Sequence, residues 1–168
     1  MRFRTAILVV VGTFSCSSPT LARALATFEC PVTLPNGVAA VEPSRNSYGT
    51  PKLSTLLWPK GAVVFSPGGS GFRTPDEALG MKFPWWRGEH VRGYLRIEGR
   101  RIDGEAPPLR SEFTDYGDRG FQATYVIFPT PGCWEVTGRA GEASITFITE
   151  VIKIGDGPAW WRDPVYRR

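Results

Sequence analysis

Histidine, cysteine and methionine are scarce in this sequence, with one, three and two residues respectively. The single histidine, His90, leaves any zinc site or catalytic triad that needs an imidazole with one candidate, and no second histidine can complete a zinc set. An excess of one charge is also missing. The whole chain carries 20 Lys and Arg against 16 Asp and Glu, but Arg2, Arg4 and Arg23 stand in the first 24 residues, and without them 17 bases face 16 acids. A net charge of +1 offers no nucleic-acid footprint, and no nucleic-acid partner is expected. Beyond Phe14 no apolar run approaches bilayer length, so no transmembrane span is expected. No window of a dozen residues holds a 3.6-residue apolar period, which excludes a helical domain, and there is no repeat or heptad pattern.

The amino terminus has the pattern of a signal peptide over residues 1–24. Arg2 and Arg4 form the charged start, Ala6 to Phe14 the apolar run, and Ala22-Arg23-Ala24 the small-residue cleavage site. Ser15-Cys16-Ser17-Ser18 opens a second route, lipidation at Cys16 with a lipid anchor on the envelope. Thr13 and Phe14 fit that route poorly, and cleavage after Ala24 is the preferred expectation. Both routes deliver an extracytoplasmic protein, secreted or periplasmic. In an oxidising compartment the two cysteines that survive cleavage, Cys30 and Cys133, are expected to form a disulfide; the alternative is two buried thiols.

Glycine and proline, 19 and 15 of them, punctuate short segments rich in β-branched and aromatic residues. That pattern predicts an all-β domain. Residues 25–52 read as an extended arm, 53–154 as the β domain and 155–168 as a tail. Leu53 to Trp58 and Ala62 to Phe65, separated by Pro59-Lys60-Gly61, are expected to pair as a hairpin. Further strands are expected at Met81 to Trp86, Arg92 to Glu98, Leu109 to Phe113, Gly120 to Phe128, Cys133 to Gly138 and Ala143 to Ile154. Pro84 lacks an amide hydrogen, which predicts a sheet edge or bulge there. Only a turn is expected at Thr74 to Glu77. Seven to eight strands of this spacing predict an antiparallel β-sandwich.

The run Phe128-Pro129-Thr130-Pro131-Gly132-Cys133-Trp134-Glu135-Val136-Thr137-Gly138 resembles a turn and strand found in many bacterial immunoglobulin-like and fibronectin-like modules. Together with Cys30-Pro31-Val32-Thr33-Leu34-Pro35-Asn36-Gly37 and Met81-Lys82-Phe83-Pro84-Trp85-Trp86-Arg87, it resembles a family of short exported bacterial proteins of unknown function. The resemblance covers most of the chain after residue 24 and implies an immunoglobulin-like sandwich, with no catalytic or binding residues carried over. In the strand itself, Trp134 and Val136 share a face, and Trp134 is expected in the core.

The chemistry these residues could support is limited. Ser70 sits in Gly68-Gly69-Ser70-Gly71, but Phe72 occupies the place where a nucleophile elbow needs glycine. The same loop lacks the Lys-Ser/Thr of a phosphate-binding loop. Asp103, Glu105, Glu112, Asp115 and Asp118 could supply paired carboxylates for glycoside hydrolysis or oxygens for calcium, although their spacing matches no calcium loop; solvated loop charges are the simpler reading. No cofactor and no metal is implied. The feature that asks for explanation is Trp85-Trp86-Arg87, because neighbours on a strand face opposite sides and both indoles cannot enter one core. The indole left outside is either covered by the arm or by Trp160 and Trp161 of the tail, or it forms a surface with Arg87 or Arg92 for a sugar, a peptide or a partner protein. These readings together favour a noncatalytic extracytoplasmic binding or interaction module whose partner is another envelope protein or a carbohydrate. The alternatives are an envelope hydrolase using the acidic residues and a structural envelope protein with no small ligand.

Overall fold

The computed structural model describes residues 28–113 and 116–155. The expected leader, Cys16, Asp115, Trp160 and Trp161 lie outside the described residues. The described residues form ten strands: β1 (Ser47–Gly49), β2 (Leu53–Leu56), β3 (Ala62–Phe65), β4 (Phe72–Arg73), β5 (Leu79–Arg87), β6 (Arg96–Arg101), β7 (Arg110–Phe113), β8 (Phe121–Phe128), β9 (Gly132–Ala140) and β10 (Ala143–Lys153). Eight correspond to the segments expected from sequence. β1 and β4 are three and two residues long, too short to carry a period-two signal. Among the described residues the only helical piece is a 3₁₀ turn at Pro59–Gly61. Thr74 to Glu77 is a turn, closed by the Glu77 amide donating to the Thr74 carbonyl.

The strands form two sheets that face each other. One runs β1-β2-β5-β8-β7, with β4 beside β5, and the other β3-β10-β9-β6. All pairs are antiparallel except β3 with β10, which is parallel, so the expectation of a wholly antiparallel sandwich is corrected at that pair. It follows from a second correction. β2 and β3 do not pair as a hairpin; β2 lies between β1 and β5 in one sheet, while β3 crosses to the edge of the other. Lys60 and Gly61 take φ of 59° and 69°, and the Gly61 carbonyl accepts from the buried Thr149 hydroxyl of β10. The turn is therefore fastened to the opposite sheet rather than closing on β2.

Pro84 also departs from expectation, for β5 is an interior strand. One of its sides pairs with β8 over its whole length, and the other pairs with β4 at Leu79–Gly80 and with β2 at Trp85–Arg87. Pro84 falls in the interval between β4 and β2, where no strand needs its missing amide hydrogen. Its carbonyl accepts from the Thr55 hydroxyl at the end of β2.

The core lies between the inward residues of the two sheets. Trp85, Trp134, Phe83, Phe147 and Val136 are all buried there, Trp134 as its strand alternation predicts. Phe147 stacks on Phe83 and lies against Trp85, with ring centroids 6.0 and 6.2 Å away. The Trp85 ring lies so close to Gly138 that a Cβ at that position would stand 2.3 Å from it. Gly138 is the flat spot that lets the two sheets approach around the indole.

The arm is tied down along its length. The Cys30–Cys133 disulfide is present, with 5.5 Å between Cα atoms, and fixes the start of the arm to the outer face of β9. Downstream, the Thr33 amide donates to the Ile148 carbonyl and its hydroxyl accepts from the Ile148 amide. The Tyr48 hydroxyl then donates to the Thr146 carbonyl. β3 covers β10 only from Glu150 to Lys153, so these contacts close the part of the β10 edge that β3 leaves open. Asn36 holds Gly49 through both its amide nitrogen and its oxygen, and the Ala40 amide donates to the Ser54 hydroxyl on β2. The arm thus wraps from one sheet to the other, and β1 arises within it.

Candidate functional site

β5 sorts the Trp85-Trp86-Arg87 motif by alternation. Trp85 points inward and is 0 % exposed, so it is a core residue and touches no surface ligand. Trp86 points outward and is half-buried. Directly across in β8 stands Phe121, whose ring centroid is 5.4 Å from that of Trp86. Tyr116, from the β7–β8 loop, meets Phe121 edge-on at 5.3 Å. Phe121 and Tyr116 keep 38 % and 47 % of their surface exposed, so the three rings form an open aromatic group on the outer face of the sheet. On the other side of Trp86 the opposing residue is Ser54, which holds the arm at Ala40.

Arg87 does not join that surface, which corrects the expectation of an arginine beside the exposed indole. It is 2 % exposed, and its guanidinium donates to four backbone carbonyls, those of Gly93, Gly117, Arg119 and Gly120, at 2.9–3.2 Å. Burial lowers its pKa from the ordinary arginine value while Asp118 opposes that shift; the group stays charged. Its fork fits carbonyls presented by two loops at once, residues 88–95 and 116–120. Arg87 is therefore a positioning residue: it fixes the loop that carries Tyr116 and the β8 start that carries Phe121. Arg92, the other candidate partner, is exposed, and its guanidinium folds back onto the Glu89 and Val91 carbonyls.

The first of these loops also lines a cleft of about 560 Å³ at this end of the sandwich, between the β1–β2, β5–β6 and β9–β10 connections. Lys52, Glu89, His90, Arg92 and Glu142 line it together with the apolar Val91. His90 is exposed there.

Among the described residues the acidic side chains do not converge. Asp103 and Glu105 lie in the β6–β7 connection at the far end of the sandwich, Glu112 stands on β7, and Asp118 is in the β7–β8 loop beside Gly93. Among the described residues no group of three His, Cys, Asp or Glu side chains is placed to hold a metal ion. Ser70 is exposed on a loop. Asp103 is occupied, accepting from Arg101 at 2.6 Å, and this bond holds its carboxyl below the usual aspartate range. Asp76 is held lower still by a two-pronged pair with Arg110 and by the Thr74 hydroxyl.

Both folded-state values lie below the unfolded one, so the stability these pairs contribute is present above an unfolded pKa of about 3.9 and is lost as pH falls through the depressed values. The melting temperature is accordingly expected to drop below about pH 4. An Asp103→Asn variant followed by circular dichroism across the same range should show a shallower fall, and an unchanged slope would remove Asp103 from the account.

No protein-family model matches this chain, and no curated protein matches it in sequence. Among the described residues no helix is long and apolar enough to cross a membrane. Phe121 and Tyr116 are the site residues that sequence reasoning passed over. A signal was available for Phe121: in Phe121-Gln122-Ala123-Thr124-Tyr125 the aromatic residues share one parity, while Val126 and Phe128 take the other. Pairing Phe121 with Trp86 required the register.

Proposed function

We propose that this protein is a noncatalytic extracytoplasmic binding module, an immunoglobulin-like sandwich of the exported kind its sequence resembles, whose partner is another envelope protein. The observation that carries this reading is the Trp86–Phe121–Tyr116 group, exposed on a sheet face and braced from beneath by Arg87. Aromatic residues held rigidly at a surface dominate protein–protein contacts because they bury large area at low entropic cost. A carbohydrate is the weaker partner reading. The planes of Trp86 and Phe121 are inclined at 52° and those of Phe121 and Tyr116 at 87°, a stepped relief rather than a platform for a sugar ring. Export is supported by the leader pattern and by a disulfide suited to an oxidising compartment.

The half-open Trp86 and the cleft speak for a binding module over a purely structural envelope protein, which would bury every indole. The dispersed acids lend no support to a hydrolase. The test is capture of a partner from the envelope fraction by the mature protein, followed by titration of that purified partner. Trp86→Ala and Phe121→Ala are each expected to weaken binding by roughly 10- to 100-fold, the range of interface anchors. Undiminished affinity in both variants would sink the aromatic-face reading.

A further inference from the structure

The outer face of the second sheet carries an arrangement that the aromatic face does not explain. Arg96 of β6 and Arg139 of β9 are register partners, directly opposite each other on neighbouring antiparallel strands. Both are exposed. Directly opposed side chains in such a pair have Cβ atoms about 4.5–5.5 Å apart, and like charges there repel. Neither guanidinium has an ion-pair partner among the described residues. Elsewhere on the same two strands the sequence does place a counter-charge, for Arg100 meets Glu135 at 2.9 Å two rows further on along this face.

Arg139 makes a single long contact, 3.4 Å to the hydroxyl of Ser144, which continues the row onto β10. The next row is Glu98, Thr137 and Thr146, and its two threonine hydroxyls are bonded to each other at 2.8 Å. Glu98 is the nearest acid on β6, offset along the strand from the arginine row toward Arg100. Tyr94, which precedes Arg96 by two residues and points outward because Leu95 and Ile97 are buried, is 72 % exposed at the opposite margin.

We propose that Arg96 and Arg139, with the Ser144 hydroxyl beside them, form a binding site for a phosphate-class oxyanion. Two guanidinium forks side by side can each direct paired N–H donors at one tetrahedral anion, and the anion relieves the repulsion that the row otherwise carries. It would lie on the Tyr94 side of the row, away from Glu98. Inorganic phosphate and the phosphate of an anionic lipid headgroup share this chemistry. The proposal stands on a different sheet from the aromatic face and does not depend on it.

The experiment is amide-resolved NMR of the mature protein titrated with sodium phosphate, against sodium chloride at matched ionic strength. In parallel, the protein is sedimented with phosphatidylglycerol vesicles and with phosphatidylcholine vesicles. Saturable, phosphate-specific shifts centred on Arg96, Arg139 and Ser144 are expected. Arg96→Gln and Arg139→Gln should each weaken binding about tenfold, while Arg100→Gln, whose native partner is Glu135, should leave it unchanged. In phosphate-free, low-salt buffer the two glutamine variants should melt no lower than the wild type, because each removes one of two repelling charges. Retention on phosphatidylglycerol vesicles that both glutamine variants abolish would assign the source to a headgroup. Its absence, with the phosphate shifts intact, would assign it to the free anion. Shifts that are identical in chloride, or vesicle binding that survives in both glutamine variants, would overturn the site.

Discussion

Replacing Arg87 by methionine is expected to lower the unfolding free energy by roughly 2–3 kcal/mol, because buried carbonyls lose a charged donor and each acceptor left unsatisfied costs about 1–3 kcal/mol before the loops relax. The four carbonyls that the Arg87 side chain satisfies stay in place in the variant, and of them only Gly120 keeps a bond, from the backbone amide of residue 87. This differs from exchanging a whole buried ion pair for apolar side chains, which can be neutral, because here only the donor leaves. Arg87→Lys keeps the charge but loses the planar fork, and it should fall between the wild type and methionine. Denaturant unfolding gives the magnitude. The location is read by hydrogen exchange at Arg87 and Gly93, whose amides donate to the Gly120 and Asp118 carbonyls of the loop that Arg87 fastens. Faster exchange there, with Tyr116 released from Phe121, would link the loss of stability to the aromatic group. A loss below about 1 kcal/mol, no more than one ordinary hydrogen bond, would refute the positioning role.

Opening the Cys30–Cys133 bond should have a comparable effect. It closes a loop of 103 residues, and a loop of about that length contributes up to about 4.7 kcal/mol in the chain-entropy model, with measured losses of roughly 2–5 kcal/mol. The structure adds a local consequence. Freed of Cys133, the arm can lift from β10, and the Ile148 amide loses the Thr33 hydroxyl that caps it. The strand edge preceding Glu150 then becomes available to other chains. A Cys30→Ser, Cys133→Ser double variant should therefore unfold at lower denaturant, exchange the Ile148 amide faster under native conditions, and associate at concentrations where the oxidised protein does not. Equal stability of the oxidised protein and the double variant, with Ile148 equally protected, would contradict both the entropic and the edge-capping roles.

The alternation of residues along the chain anticipated part of this architecture. Strands β8, β9 and β10 were legible because each is a run of eight to eleven residues rich in β-branched and aromatic side chains, bounded by glycine-bearing turns. Alternation correctly separated Trp85 from Trp86, although it left open what covers Trp86. It could not say that Arg87, on the inward side with Trp85, would be buried. A charged side chain is ordinarily read as solvated, and only four carbonyls, one from the adjoining loop and three from the turn before β8, make its burial tolerable.

The amino-acid sequence by itself determined the all-β class, most of the strands, the placing of Trp85 and Trp86 on opposite faces, and the two cysteines available to pair. These depend on local periodicity and composition, which every segment carries within itself. Only the tertiary structure decided that β2 and β3 part into different sheets, that β3 runs parallel to β10, and that Pro84 sits between two short partners in an interior strand. It also decided that Phe121 and Tyr116 complete the surface begun by Trp86, and that Arg96 lies against Arg139. Period-two alternation names a face but no neighbour, and residues 35 or 43 positions apart become partners only when register and sheet order are set together.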